Sequence, residues 1–189
     1  MSDLSSYTIA EAHRALQKRW GYESFRPGQE AILSPLLDGR SVLGVLPTGG
    51  GKSLCYQLPA VLAEGVVLVV SPLIALMQDQ VEALRAQGVS ATFINSTLRG
   101  YEVEQRWTNV EHGQYDLVYM APERLSTDVF AARAGRLDVS LVAVDEAHCV
   151  SEWGHHFRPA YLDIPEARAA LGDPPVAAVT ATATPPVRQ

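Results

Sequence analysis

The sequence has few of the features that mark secreted, membrane-spanning or metal-rich proteins. Only two cysteines, Cys55 and Cys149, occur in 189 residues, which is too few for a disulfide framework. No apolar run reaches the roughly 18 residues that cross a bilayer, and nothing at the N-terminus resembles a signal peptide. These absences predict a reduced, cytoplasmic protein that has no membrane segment.

Basic residues are not in excess either. The 15 Lys and Arg residues against 21 Asp and Glu residues give a formal net charge of −6. This balance argues against a uniformly basic surface that coats nucleic acid, although it leaves room for a local basic patch. The sequence also lacks internal repeats and low-complexity tracts. With 47% hydrophobic residues, it can bury the core of a single domain over residues 1–189.

Two helices are predicted before the first strand. Thr8 and Glu11 have the spacing of a capping box, which predicts a first helix that ends near Trp20. A second helix is predicted from about residue 27 to residue 37, because proline is tolerated in a first helical turn. Gly39 then ends that helix.

Six short apolar runs, rich in β-branched residues, follow and alternate with helical patterns. They occupy residues 42–46, 66–70, 91–94, 117–120, 141–144 and 176–179. Alternating strands and helices imply parallel pairing through right-handed crossovers, and hence a doubly wound α/β sheet with helices on both faces. Ligands are expected beyond the carboxyl ends of the strands.

A glycine-rich loop directly follows the first predicted strand. It reads Leu-Pro-Thr-Gly-Gly-Gly-Lys-Ser and spans residues 46–53. Glycines let backbone N–H groups turn toward an anion, and the next helix adds its positive N-terminal end. Lys52 is expected to reach the β and γ phosphates, and Ser53 to ligate Mg²⁺. The residues expected to bind the nucleotide phosphates are Thr48, Gly49, Gly50, Gly51, Lys52 and Ser53.

The match to the strict phosphate-loop pattern is partial. Leu46 stands where that pattern has glycine, so a plain strand-to-helix turn is an alternative interpretation.

Two acids follow another predicted strand. Asp145 and Glu146 come at the carboxyl end of the 141–144 run, where the metal of a bound nucleotide is expected. Asp145 is expected to hold Mg²⁺ through water, and Glu146 to orient and deprotonate an attacking water. A pair of solvated turn acids is the alternative. Together with the glycine-rich loop, the acids predict nucleoside triphosphate hydrolysis.

Four further segments accompany these two motifs. They are Trp-Gly-Tyr-Glu-Ser-Phe-Arg-Pro-Gly-Gln at 20–29, Ser-Pro-Leu-Ile-Ala-Leu-Met-Gln-Asp-Gln at 71–80, Tyr-Met-Ala-Pro-Glu-Arg-Leu at 119–125 and Thr-Ala-Thr at 180–182. In this order, with Asp-Glu-Ala-His at 145–148, the motifs resemble those of RecQ-type DNA helicases, ATP-driven motors of the Asp-Glu-x-His superfamily. The resemblance implies a RecA-like P-loop NTPase fold that uses ATP and Mg²⁺. Residues 1–40 would then form a helical adenine-recognition segment, and residues 41–189 the sheet core.

The resemblance also implies roles for single residues. The Gln29 amide would read adenine, while Tyr22 and Arg26 would stack on the base or hold it. An exposed helical glutamine is the alternative for Gln29. His148 would link the hydrolysis site to its neighbours through hydrogen bonds, with Thr180 and Thr182 as coupling residues. Segments 71–80 and 119–125 resemble DNA-contacting or coupling motifs of the family.

Residues 149–161 resemble the aromatic-rich segment with which RecQ-type helicases sense single-stranded DNA. Trp153 and Phe157 would stack on bases, Arg158 would pair with phosphate or stack, and His155 belongs to the same DNA-binding set. A DNA-induced shift of this segment could then place Glu146 or His148 for hydrolysis.

Three observations keep other interpretations of this segment open. Trp153 and Phe157 have the i to i+4 spacing of a buried helical stripe, although Gly154 and Pro159 disfavour a long helix. His148, Cys149, His155 and His156 could bind zinc, but their spacing matches no common arrangement. His156 also departs from the resemblance, since the family usually has Asp there.

The resemblance implies partners as well. Such motors use a cleft between two similar lobes, and the second lobe supplies arginines for the γ-phosphate. Single-stranded and partly duplex DNA would be the substrate, with 3′–5′ unwinding in DNA repair and recombination. The 189-residue chain alone is expected to bind ATP weakly, to hydrolyse it slowly and not to unwind DNA.

Two rival functions come from other classes. A nucleotide kinase would need an acceptor pocket and a mobile lid, and no segment has that character. A non-enzymatic DNA-binding module would not need Lys52, Ser53, Asp145 and Glu146 together.

Overall fold

A computed structural model describes residues 4–151 and 157–182, and in these ranges helices and strands alternate. The α-helices are α1 (Ile9–Trp20), α2 (Gln29–Leu37), α3 (Leu54–Leu62), α4 (Ile74–Ala86), α5 (Gly100–Glu111), α6 (Asp128–Ala134) and α7 (Ile164–Ala170). The strands are β1 (Val42–Val45), β2 (Val66–Val70), β3 (Ala91–Ile94), β4 (Leu117–Met120), β5 (Val139–Val144) and β6 (Val176–Thr180). Short 3₁₀ helices lie at Leu4–Ser6, Pro122–Arg124, Ala147–Val150 and Pro159–Asp163.

The six strands form one sheet in the order β1-β6-β5-β2-β4-β3, and every pair is parallel. Neighbours that are not consecutive in the chain require crossovers, which the helices provide. The predicted doubly wound α/β sheet is therefore confirmed. All strand carboxyl ends lie along one edge of the sheet, so the loops after β1, β6 and β5 are adjacent there.

Both faces of the sheet are covered, and each face has its own hydrophobic core. Alternate residues of β2 divide between them, because side chains alternate across a strand. Val67 and Val69 pack in the core that includes residues of α1, α2, α3 and α4. Leu68 and Val70 pack in the opposite core, to which Trp107 of α5 and Phe130 of α6 belong. This double coverage explains why the strands are almost continuously apolar.

The first two helices test the predicted boundaries. The capping box of α1 is confirmed: Glu11 N donates to Thr8 Oγ1 (3.3 Å) and Thr8 N donates to Glu11 Oε2 (2.8 Å). The prediction that α2 begins near residue 27 is wrong by two residues. Gly28 adopts a left-handed conformation (φ 87°), and the Gln29 N–H closes a turn onto Arg26 O (3.1 Å), so the helix begins only at Gln29.

Three strand boundaries differ slightly from the predicted ones. Strand β1 ends at Val45, one residue early, whereas β6 continues to Thr180. Strand β5 begins at Val139, two residues before the predicted start. Its polar residue Ser140 is accommodated because the hydroxyl donates to Gly65 O and Val66 O (both 3.3 Å).

Within the described ranges, no helix has both the length and the apolar character needed to cross a bilayer. Both cysteines are buried and carry free thiols.

Strand β3 contains a stabilisation target. The Thr92 hydroxyl is buried and, among the described residues, has no hydrogen-bond partner. Thr92→Val replaces the unpaired hydroxyl with a methyl group of similar size. We expect the free energy of unfolding, measured by urea denaturation, to increase by about 1 kcal/mol.

Thr97→Val is the matched control, because the Thr97 hydroxyl donates to Asn95 Oδ1 (2.7 Å) and its loss should destabilise the protein. A Thr92→Val variant less stable than the parent protein would contradict the prediction.

Candidate functional site

The predicted site residues meet at the carboxyl edge of the sheet. The glycine-rich loop begins where β1 ends, and Leu46 N donates to Thr180 O at the end of β6 (3.1 Å). Strand β5 is the second strand from β1 in the sheet. At its end, Asp145 N donates to Val70 O (2.9 Å), which holds the acid pair in place. Main-chain hydrogen bonds therefore fix the loop and the acids to neighbouring strands.

The glycine-rich loop needs its glycines for conformation and for space. Gly49 and Gly51 both adopt left-handed backbone conformations, with φ of 77° and 78°. A Cβ on Gly51 would also collide with the side-chain amide of Gln29. Helix α3 starts directly after Ser53, so the loop lies against the positive end of a helix. This is the geometry of an anion-binding loop.

Gln29 supports this loop from α2. Its side chain accepts from Arg26 N (2.8 Å) and donates to Gly51 O (2.9 Å), so both ends of the amide are engaged. Gln29 is only 2% exposed, which shows that the alternative of an exposed helical glutamine is wrong. Reading of adenine by Gln29 stays a prediction, and it requires one of these bonds to be exchanged for a bond to the base.

A cavity of about 550 Å³ lies beside the loop. Its walls include Tyr22, Arg26 and Gln29, the three residues expected at the base, together with Gly51 and Ser53. The volume is within the range of small-ligand sites. Tyr22 is half exposed, which leaves its ring accessible to a ligand. The structure thus brings the predicted base residues to the same cavity as the phosphate loop, which we name the base cavity.

Asp145 is buried at the end of β5. Burial raises its pKa to about 6, and the neighbouring Glu146 acts in the same direction. Hydrogen bonds from the Glu146 N–H and Ser71, and the charge of Lys52, oppose that increase. A buried carboxylate with incomplete charge compensation suits a cation, and the oxygens of Asp145 and Ser53 are the ligand type that Mg²⁺ prefers. The donor set therefore fits Mg²⁺.

Glu146 has an uncommon backbone conformation. Its φ of 50° lies in the left-handed region, which costs a non-glycine residue on the order of 1–3 kcal/mol. The side chain Oε2 lies 3.2 Å from His148 Nδ1. Strain of this kind is retained where the surrounding structure holds it in place, often at functional sites.

His148 joins the acid pair to the end of β6. Its Nδ1 lies 2.9 Å from Thr180 Oγ1, while the Thr180 hydroxyl donates to Thr182 O (2.9 Å). Because the single hydrogen of Thr180 is used in that bond, Nδ1 must carry the hydrogen that His148 shares with Thr180. The structure thus brings together His148, Thr180 and Thr182, which the sequence named as coupling residues.

The segment expected to contact DNA is described only in part. Trp153, His155 and His156 lie outside the described residues. Phe157 and Arg158 line a cavity of about 530 Å³, which we name the coupling cavity, and Glu146 and His148 line it as well. The described residues contain no group of three or more His, Cys, Asp or Glu side chains that could hold a metal ion.

Several residues at this edge were given no individual role from the sequence, although they lie in segments that resembled family motifs. Tyr161 Oη donates to Asp145 O (2.9 Å) and so ties the segment expected to contact DNA to the end of β5. Ser71 and Tyr119 belong to segments that resembled DNA-contacting or coupling motifs, but each is only 1% exposed, which leaves coupling as the role open to them. A polar residue within an apolar run, as at Tyr119, is the signal that could have indicated them.

Asp145 generates a prediction about pH and stability. A folded-state pKa raised from 3.8 to about 6 means that this group stabilises the fold below pH 4, and that the contribution is lost as pH rises through 6. Asp145→Asn removes the free-energy cost of holding an ionised carboxylate in this buried position. In EDTA-containing buffer, the variant should match the parent protein near pH 4.5 and exceed its unfolding free energy by on the order of 2 kcal/mol at pH 8.

Urea denaturation at both pH values measures the difference. Glu64→Gln, at an exposed carboxylate, is the control and should show no such trend. A stability difference for Asp145→Asn that does not change with pH would contradict the assignment.

Comparison with known proteins gives sequence relatives along most of the chain. The RecQ ATP-dependent DNA helicase of Bacillus subtilis is 48% identical over 180 residues, covering 93% of this chain and 30% of the relative. The RecQ helicase of Haemophilus influenzae is 45% identical over 168 residues, covering 89% of this chain and 27% of the relative. The chain thus spans about 30% of the length of the curated relatives that it matches.

Solved structures of helicases share the fold. The DUF1998 helicase MrfA, crystallised with DNA, superimposes with a TM-score of 0.73 at 21% identity, covering 93% of this chain and 26% of that chain. The Lhr helicase of Mycobacterium smegmatis gives a TM-score of 0.68 at 23% identity, covering 97% of this chain and 26% of that chain. The expected RecA-like α/β fold is confirmed. Residues 26–189 match the DEAD/DEAH box helicase family, and the chain therefore belongs to that family, with RecQ helicases among its relatives.

Proposed function

We propose that this chain is the ATP-binding motor lobe of a RecQ-type DNA helicase. Such a protein couples ATP hydrolysis to 3′–5′ movement along single-stranded DNA and to duplex unwinding in DNA repair and recombination. One observation carries the proposal: Asp145 lies near enough to Lys52 of the glycine-rich loop to be affected by its charge, and the adjacent Glu146 lines the coupling cavity together with Phe157 and Arg158. The names of the RecQ relatives support the same substrate.

The nucleotide would lie across the loop and the base cavity. Backbone N–H groups of residues 48–53 would bind the phosphates, with Lys52 at the β and γ positions. Tyr22 would stack on the adenine ring, and Arg26 would hold it from the loop side. Ser53 and Asp145 would hold Mg²⁺, which neutralises charge on the phosphate oxygens.

Glu146 would act as the base that orients and deprotonates the attacking water. Its position depends on His148, since Nδ1 of that ring is within 3.2 Å of the Glu146 carboxylate and 2.9 Å of Thr180 Oγ1. A displacement of Thr180 would therefore be transmitted to Glu146 through one imidazole. This gives Thr180 and Thr182 a physical coupling role.

DNA would act on the same carboxylate from the other side. Phe157 offers an aromatic face for a base, and Arg158 offers a charge for phosphate. The Arg158 guanidinium lies 3.7 Å from the Glu123 carboxylate, and the backbone N–H of Arg158 donates to Cys149 O (3.0 Å). The segment is therefore anchored beside the acid pair. DNA that pulls Phe157 and Arg158 would reshape the coupling cavity around Glu146. Trp153 and His155 are proposed to belong to the same surface.

The full reaction would need a second lobe. The arginines expected at the γ-phosphate come from that lobe in the proposed arrangement. For that reason, the 189 residues alone should bind ATP weakly and separate no strands.

Nucleotide preference is the first test. Calorimetric titration with Mg-ATP and Mg-GTP should show tighter binding of ATP. Lys52→Ala should weaken both by roughly tenfold or more, because a charge-assisted contact to phosphate is lost. Gln29→Ala should abolish the preference for ATP.

Gln105→Ala, on the exposed side of α5, is the control and should change neither affinity. If Gln29→Ala weakens ATP and GTP equally, Gln29 supports only the loop and base reading by it is wrong. Equal binding of both nucleotides by the parent protein would contradict the whole base-site assignment.

DNA coupling is the second test. In the full-length protein, Phe157→Ala and Trp153→Ala should each reduce the stimulation of ATPase activity by single-stranded DNA roughly tenfold, which corresponds to one lost base stack. The measured quantity is the ratio of rates with and without DNA. Tyr101→Ala, at an exposed aromatic residue of α5, should leave the ratio unchanged. Unaltered stimulation in both variants would refute the coupling proposal.

A further inference from the structure

Strand β3 lies at one edge of the sheet and, within the described ranges, pairs only with β4. Its outer side therefore faces no neighbouring strand. The carbonyl oxygens of Ser90 and Ile94 accept from backbone N–H groups of residues 116–117 and 121, at the two ends of β4. Since the N–H and C=O groups of one residue point to the same side of a strand, and alternate residues share a side, Ala91 and Phe93 direct theirs away from β4.

Two arginines occupy these outward carbonyl groups. Arg85, near the end of α4, donates from Nε to Ala91 O (2.9 Å), and Arg106 of α5 donates from Nη1 to Phe93 O (2.6 Å). The Arg106 guanidinium also lies over the Phe93 ring, with Cζ 4.3 Å from the ring centroid. Both outward carbonyl groups of β3 are therefore hydrogen-bonded to a guanidinium. We name Arg85 and Arg106 the edge cap.

The two arginines of the edge cap come from helices on opposite faces of the sheet. Helix α4 packs in the core that contains Met77 and Leu84, whereas α5 packs in the core that contains Trp107. The edge of β3 is consequently covered from both faces. Ala91 is only 1% exposed and Ile94 is fully buried, although both belong to an edge strand.

The edge cap is not part of an ion-pair network. Arg133 of α6 pairs with Glu104 and Glu111 of α5, but within the described ranges Arg85 and Arg106 form no ion pair. Their hydrogen bonds to the edge carbonyls are therefore the polar contacts that a substitution would remove.

The sequence around β3 is of a type that associates when its edge is open. Residues 86–98 contain no charged residue and no proline, and the strand itself reads Ala-Thr-Phe-Ile. Uncharged segments with β-branched and aromatic residues and no proline readily pair between molecules. A charge within the segment would prevent such pairing, and this segment has none. The fold instead brings two charges to the edge from the neighbouring helices.

We propose that Arg85 and Arg106 prevent β3 of one molecule from pairing with β3 of a second copy of this chain. An antiparallel pair centred on Thr92 would place Ala91 opposite Phe93 of the second copy, and both residues direct their backbone groups outward. The edge cap opposes this pair in two ways. The guanidiniums already occupy the carbonyl groups, and pairing would bring the like charges of both copies together and take them out of water. The inference does not depend on the proposed nucleotide chemistry.

Sedimentation equilibrium of the 189-residue protein over a range of concentrations tests the proposal. Arg85→Met and Arg106→Met keep the aliphatic part of each side chain and remove its charge and its donors. Each single variant should strengthen self-association roughly fivefold relative to the parent protein, because one outward carbonyl group becomes available. The double variant should strengthen it roughly twentyfold.

The matched control combines Arg14→Met with Arg40→Met. These exposed arginines lie in α1 and before β1, where they pair with Glu11 and Asp38. The control removes the same charge as the double variant, and its self-association should stay at the parental value. Equally strengthened association in the control would show that the change in net charge is the cause, and the proposal would be wrong.

Hydrogen exchange locates the interface. Peptides that cover residues 89–95 should exchange more slowly in the associated double variant than after dilution, because the outward N–H groups of Ala91 and Phe93 become paired. Ala91→Pro, added to the double variant, removes one of these N–H groups and should return association toward the parental value. Association that leaves the exchange of residues 89–95 unchanged would run through another surface and would overturn the proposal.

Urea denaturation shows whether each variant is folded, and the single variants carry the test if the double variant is not. The parent protein sets the baseline, which includes any association through Leu43 and Val45, the exposed apolar residues of β1 at the other edge of the sheet. Folded variants that associate no more strongly than the parent protein would overturn the proposed role of the edge cap.

Discussion

Strand β6 pairs with both strands that precede the proposed nucleotide-binding motifs, and its hydrogen bonds set the distance between those motifs. Val45 of β1 lies opposite Thr180, and Val144 of β5 lies opposite Ala178. Because neighbouring strands are about 4.8 Å apart, the loops after β1 and β5 are separated by about 10 Å. A chain of phosphates with its cation bridges such a gap. The spacing of a parallel sheet thus decides where Ser53 and Asp145 can act together.

The conformations and charges of the site residues cost free energy of folding, and the rest of the fold compensates for that cost. Asp145 is a buried acid, and Glu146 adopts a left-handed backbone conformation at the end of the same strand. Gly51 leaves no space for a side chain because Gln29 packs against it. The buried acid and the left-handed residue oppose stability, and all three features lie where ligand chemistry is proposed. Strand β5 tolerates the two acids that follow it because all six of its own residues are buried in the sheet.

Much of the architecture could be predicted because its signals are local. A short β-branched run between helical patterns indicates a buried strand wherever it occurs, and the glycines of residues 49–51 report a loop conformation by themselves. The acids at 145 and 146 were predictable because they directly follow such a run. The predicted start of α2 was wrong, because Gly28 adopts a left-handed conformation that excludes it from the helix, and the sequence alone does not show which conformation a glycine takes.

The support of the site could not be predicted from the sequence. Gln57 and Tyr119 are 62 positions apart in the chain, and their bond exists only because α3 packs on the sheet beside β4. Tyr161 reaches Asp145 across a separate segment in the same way. Contacts of this kind depend on how elements that are distant in the chain pack together. No periodic pattern in a single sequence predicts them.

The separation of the core into two faces has a consequence for the genetics of such a protein. The helices that carry the phosphate loop and the base cavity pack on one face, while Trp107 and Phe130 pack on the other. Damage at Trp107 or Phe130, neither of which lines the base cavity or the coupling cavity, would lower the fraction of folded molecules and change the folded site little. Mutations there would act like a reduced amount of folded protein, and cells could compensate for them by increased expression. If Lys52 and Glu146 have the proposed roles, alleles at these positions would instead produce folded but inactive protein, which added expression could not restore.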